Sequence, residues 1–197
     1  MMKIEISDIS QIQYEEFLPF KMIGRPISVF DIHFPDMMDM DMETIRIWME
    51  KINAFPIYFC LQITDVFKSD FESTCINNSL KYQYIGEFEG SSVAILEILN
   101  SRSFSVIFPF IKLISSMEDL VFWSSNKNCF TVDNKVRQNG LFDLIPVNIN
   151  FNDETTVFSL IQSGLVLEVY SNSSLFYSYG DIVNSLPNYL VPINLNE

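Results

Sequence analysis

Asp41-Met-Glu-Thr-Ile-Arg-Ile-Trp-Met-Glu-Lys-Ile-Asn53, then Ala54-Phe-Pro56, then Ile57-Tyr-Phe-Cys-Leu-Gln-Ile-Thr-Asp-Val66, changes its hydrophobic period partway along. In the first part Ile45, Trp48, Met49 and Ile52 recur at i, i+3, i+4 and i+7, one apolar stripe, while Glu43, Arg46 and Glu50 take other faces. That spacing predicts a helix over 41–53. Asp39 or Asp41 can cap its free N–H groups, acids in its first turn suit the helix dipole, and Asn53 with Pro56 stops it. Ile57 to Val66 is nearly continuous in apolar, aromatic and β-branched residues, which suits a central strand covered on both faces.

The same two signals recur outward from this pair. Phe104 to Ile114 is a second apolar run and is expected as a buried strand, with Ser92 to Asn100 as a helix before it. Weaker helices are expected at 153–162 and 180–186. Further strands are expected at 3–6, 29–34, 81–89, 120–124, 129–132, 146–151 and 165–170, with loop tips at Asn77-Asn-Ser79 and Ser171-Asn-Ser-Ser174. Helix then strand occurs twice, at 41–66 and 92–114, but the residues of the two copies do not match, which argues against a duplication. The irregular order favours α+β over a doubly wound fold. The expectation is one domain over 1–197, with a mixed or mainly antiparallel sheet and two to four helices packed mostly on one face. The only candidate subregion boundary falls near 70–80.

The chain has ample core material: 18 Phe, 8 Tyr and 2 Trp, each able to bury about 150–250 Å². Its charge is −13, from 12 Lys and Arg against 25 Asp and Glu. Nucleic acid is thereby a poor partner, since Lys127, Lys135 and Arg137 are too sparse to displace condensed counterions. An anionic membrane surface would repel the chain, whereas a basic protein would be drawn to it. Cys60, Cys75 and Cys129 are odd in number and widely spaced, so neither a disulfide scaffold nor a zinc site is expected. Met1 to Asp8 lacks the apolar core of a secretion signal, and Phe104–Ile114 is too short to span a bilayer. A cytoplasmic protein is expected.

Catalytic signatures are sparse. With 6 Gly and no GxGxxG, P-loop, GxSxG or HExxH, the phosphate cradles and hydrolase elbows that need those turns are disfavoured. His33 is the sole histidine, and in Val29-Phe-Asp-Ile-His-Phe34 it would share a strand face with Asp31, half of a triad with no nucleophile to serve. The most distinctive segment is Asp36-Met-Met-Asp-Met-Asp-Met-Glu43. Six residues between 31 and 50 are acidic, against the single Arg46. Three uses stand open: a solvated helix entry, an Mg²⁺ pair at Asp39 and Asp41, or a patch that docks into a basic cleft. The methionines interleaved with these acids fit core packing or an adaptable binding surface, and Ser174-Leu-Phe-Tyr-Ser-Tyr179 fits a recognition loop or a packed edge.

Two function classes follow. The first is a non-enzymatic acidic binding protein whose Asp36, Asp39, Asp41, Glu43 and Glu50 pair with cations of a basic partner. In being small, acidic and free of catalytic motifs, the chain resembles in composition the bacterial immunity proteins, which neutralise a toxin by covering its cationic active site. The alternative is a small enzyme, Mg²⁺-dependent through Asp39 and Asp41 or using Asp31 with His33. No cofactor is called for, and the aromatic content also allows a homo-oligomer.

Overall fold

Period-two burial organises the computed structural model, which describes residues 2–10, 18, 20–34, 42–88, 90–117, 119–133, 137–138, 143–144 and 147–196. In chain order the elements are β1 (Met2–Asp8), β2 (Lys21–Ile23), β3 (Ser28–His33), α1 (Met42–Lys51), β4 (Ile57–Thr64) and α2 (Asp65–Asn77). There follow β5 (Lys81–Phe88), β6 (Ser91–Ile98), α3 (Ser101–Ser116), β7 (Val121–Ser124), β8 (Phe130–Val132), β9 (Arg137–Gln138) and β10 (Asp143–Leu144). The chain closes with β11 (Val147–Asn150), β12 (Thr156–Ile161), β13 (Val166–Ser171), α4 (Tyr179–Ser185) and β14 (Leu190–Asn194).

Nine strands form one sheet in the order β14-β1-β3-β13-β12-β7-β4-β6-β5. Only β14 and β1 run parallel; the other neighbours are antiparallel. The fold is α+β. One face carries Phe30, Ile32, Phe59, Leu61, Trp123, Phe158 and Leu167, covered by Trp48 of α1, Phe71 of α2, Phe104 and Ile111 of α3, and Ile182 of α4. The other face carries Cys60, Val93, Phe122, Val157 and Tyr170, and is covered by the three-stranded sheet β2-β11-β8 through Phe130, Val147 and Ile149. The central strands are therefore buried on both sides, which explains their continuous hydrophobicity. None of the described helices is long and apolar enough to cross a membrane.

Three sequence expectations are corrected. Phe104–Ile114 is the middle of helix α3 rather than a strand: Asn100 caps its start by accepting from the Ser103 N–H at 3.1 Å, and Phe104, Ile107, Phe108, Ile111 and Ile114 share its buried face. Its Pro109 sits on the exposed side. Most of the helix expected at Ser92–Asn100 is strand β6 (Ser91–Ile98), wedged between β4 and β5 with both faces buried, so its apolar residues satisfy a sheet instead of a stripe. The expected helix at 153–162 is strand β12, paired on one side with β13 and on the other with β7. The second helix–strand unit is thus inverted to strand–helix, which ends the idea of a duplication. Asp65–Asn77 is helix α2, with Phe71 and Cys75 packed in the main core; it takes Asp65 and Val66 from the expected strand and Asn77 from the expected loop tip, and the residues between had no assigned element.

Gly86 marks a close approach between the layers. A Cβ there would stand 2.8 Å from Cγ1 of Val132 on β8 and 3.0 Å from the ring of Phe88. The β5–β6 register slips between Tyr84 and Gly86, which lets β5 bend towards β8. Gly86→Ala is expected to destabilise the fold by about 1–2 kcal/mol through overpacking, seen as a lower urea midpoint at unchanged slope.

Candidate functional site

Asp36, Asp39 and Asp41 lie outside the described residues, and with them the proposed Mg²⁺ pair. Glu43 and Glu50 are described. Both stand on the outer face of α1, with side chains 53% and 42% exposed. The helical period places Arg46 between them: its Nε donates to Glu43 at 2.9 Å and its Nη1 to Glu50 at 2.8 Å. The hydrogen bond from Arg46 holds the Glu43 carboxyl below its usual range. Exposed to water and screened by it, this triad adds little to stability. It leaves α1 with an ordered acidic ridge.

Two further acids stand where β4 ends at Thr64. Asp65 opens α2 at the same end, its N–H bonded to the carbonyl of Gly90 at 3.0 Å. Glu87, in register with Ser92, lies there also, and is paired with Lys68 at 3.3 Å. Both stand on the β4-β6-β5 side of the sheet, apart from the start of α1, where Thr44 accepts from the hydroxyl of Tyr189, before the opposite edge strand β14, at 3.0 Å.

The Asp31–His33 pair sits on the opposite face, where the sheet adds a partner that sequence reasoning missed. Ser7, Asp31, Glu168 and Ser159 form one row across β1, β3, β13 and β12. Directly opposed residues in an antiparallel pair bring their Cβ atoms to roughly 5 Å. Asp31 and Glu168 are therefore a facing carboxyl pair. The Tyr170 hydroxyl donates to Glu168 Oε2 at 2.8 Å, and Ser159 hydrogen-bonds the same carboxyl. Burial pushes Glu168 up to about 7, with these two hydrogen bonds opposing it and Asp31 adding to it. Burial also raises Asp31, against the pull of His33. Asp31 Oδ1 is buried with no hydrogen-bond partner among the described residues.

Chemically, such a pair holds one proton near neutral pH and can present an acid beside a base. Its sequence signal was the lone acid in Val166-Leu-Glu-Val-Tyr-Ser171, unremarkable until register put it opposite Asp31. Asp119 is a third carboxyl raised by burial, lifted to about 6 by desolvation, and it stands apart from this row in the turn after α3. All three cysteines are buried free thiols whose ionisation burial suppresses, which makes them packing residues rather than nucleophiles. Among the described residues no group of three or more His, Cys, Asp and Glu is placed to hold a metal ion. No family model, curated protein or solved structure matches this chain.

Proposed function

We propose that this chain is a non-enzymatic acidic binding protein of the cytoplasm, an immunity-type inhibitor that covers the basic active site of a toxin or other cationic partner. The observation that carries the reading is the ordered ridge of Glu43 and Glu50 on the open face of α1, in a chain of net charge −13. Arg46 fixes both carboxylates in place, so a partner's lysines and arginines meet pre-oriented acceptors and less side-chain entropy is lost on docking. Asp36, Asp39 and Asp41 precede the ridge in sequence and add to the net negative charge of the chain. The field of the whole molecule steers the encounter, and short-range complementarity sets residence time.

The test begins with capture of a basic protein from native lysate at low salt, followed by measurement of its association rate with the purified chain. Raising salt from low to physiological is expected to slow association by more than about threefold. Neutralising Asp36, Asp39, Asp41, Glu43 and Glu50 together to Asn or Gln should abolish most of that dependence. A salt-independent rate, or capture unaffected by neutralisation, removes the reading.

The facing carboxyls favour a second reading, a small enzyme that uses Asp31 and Glu168 as a base and an acid. It differs from the sequence expectation in drawing its partner to Asp31 from β13 rather than from His33. A turnover activity lost in Glu168→Gln would carry it; the Mg²⁺ version through Asp39 and Asp41 concerns residues outside those described.

A further inference from the structure

On the outside of the helix layer, α3 presents Arg102, Val106, Pro109, Leu113 and Ser116 to solvent, with Met117 just past its end. These positions are separated by four, three, four and three residues, the spacing of a seam on which a second helix packs. Val106 is 38% exposed, Leu113 45% and Met117 58%. Half-buried Phe110 lies beside Val106 and Leu113 at helical spacing and carries the apolar surface to Phe67 of α2, whose ring centroid is 6.5 Å away.

Charge sets this helix apart. Among the described α-helices α3 alone holds no acid: α1 has Glu43 and Glu50, α2 has Asp65, Asp70 and Glu72, and α4 has Asp181. In a chain of net charge −13, a helix face without carboxylates is where two copies meet with least repulsion. Its two ends differ. Arg102 stands in the first turn, while the last turn holds no basic side chain and is followed in sequence by Glu118 and Asp119. The helix dipole adds positive charge at the Arg102 end and negative charge at the other. A parallel second copy would bring like ends together, whereas an antiparallel one brings each end to its complement. A basic partner finds no acid on this seam to pair with, so the seam is distinct from the α1 ridge.

We propose that two copies of this chain pair through α3, antiparallel about a two-fold axis at Pro109. In that register Val106 of each copy meets Leu113 of the other, and Arg102 reaches the Ser116 end of the second helix. Pro109 has no N–H for the carbonyl of Ser105, and that acceptor falls opposite Lys112 of the second copy. A helix of 16 residues offers a strip about 24 Å long and about 10 Å wide. That is well below the roughly 800 Å² per partner of a standard interface, so the dimer is weak and reversible. Salt acts on it in the opposite sense from docking at α1. By screening two charges of −13 it strengthens the pair.

Sedimentation velocity of the full chain between about 5 and about 500 µM, in about 0.1 M and about 1 M salt, reads the pairing. The mass is expected to rise from 22.9 kDa to twice that and no further, at lower protein concentration in the higher salt. Leu113→Glu places a carboxylate in the seam twice per dimer and should weaken pairing at least about tenfold, with the melting temperature of the dilute monomer unchanged. Crosslinking reads the orientation. Pro109→Cys should oxidise to a disulfide-linked dimer, and Arg102→Cys should link to Ser116→Cys but not to itself. The native thiols are buried and stay out of the reaction. A chain still monomeric at about 500 µM in high salt overturns the pairing, and flotation of that monomer with phosphatidylcholine vesicles would give the seam to a membrane instead. A dimer indifferent to Leu113→Glu overturns the seam, and one linked through Arg102→Cys alone overturns the antiparallel register. Each of these outcomes leaves docking through α1 standing.

Discussion

Glu168→Gln should raise the melting temperature at pH 8 and leave it unchanged at pH 4. The carboxyl of Glu168 is lifted from its ordinary 4.5 to about 7 in the folded protein, chiefly because burial between β3 and β12 strips its water. The folded state thus binds a proton more tightly than the unfolded state. Below about pH 4.5 the group is protonated in both states and costs nothing. Between pH 4.5 and 7 the unfolded chain releases its proton first, so stability falls as pH rises; above 7 the full penalty is present. At about 1.4 kcal/mol per decade, the penalty is on the order of 3 kcal/mol. Glutamine keeps an acceptor for the Tyr170 hydroxyl and carries no charge, so it removes the penalty. For a chain of this size the gain corresponds to roughly 6–12 °C at pH 8. Asp31→Asn should move stability the same way, since it also relieves one of two facing carboxylates. Thermal unfolding followed by circular dichroism at the two pH values decides the matter. A variant that melts below the parent at pH 8 would show the ionised pair to be held by compensating interactions.

The second large effect is expected at Trp48. Its ring is fully buried, edge-on to Phe158 at 5.5 Å and to Phe176 at 6.4 Å. Its indole N–H donates to Ser185 Oγ at 3.0 Å, and that hydroxyl in turn donates to the carbonyl of Ile182 at 2.7 Å. One side chain of α1 therefore packs on the sheet and ties down α4. Trp48→Ala opens a cavity that the surrounding rings cannot close, with an expected loss of about 3–5 kcal/mol. The corresponding drop in melting temperature is roughly 6–20 °C. Trp48→Phe keeps most of the volume and loses the donor, leaving about 1–2 kcal/mol. Val66→Ala on α2, where the side chain is 82% exposed, serves as control and should change stability by less than about 0.5 kcal/mol. A Trp48→Ala variant no less stable than this control would mean that the α1–α4 contact carries no weight.

Much of the fold was legible where the residues alternate or repeat unambiguously. The stripe Ile45, Trp48, Met49 and Ile52 became α1 within a residue or two of its expected ends, and Asn53 does stop it, in a left-handed conformation. Strands β1, β3, β4, β5, β7, β8, β11 and β13 and helix α4 fall where their residues put them. The exchange of α3 and β6 has one physical cause. Strand β6 is buried on both faces, and the outward face of α3 carries the apolar Val106, Pro109 and Leu113, so apolar residues run on past its buried stripe and blur its period. The local signal that separated them was Asn100, which caps α3 and was taken instead as the end of a helix before it.

The candidate sites divide along the same line. Net charge, the acidic ridge of α1 and the face shared by Asp31 and His33 are properties of composition and local period, and the amino-acid sequence determined them without help. Strand order did the rest. Glu168 lies far along the chain from Asp31, and only the pairing of β3 with β13 sets the two carboxyls face to face and strips their water. Period is written in neighbours along the chain, whereas register and burial are set by which distant segments pack together; so the elements could be read from residues and the sites had to wait for the sheet.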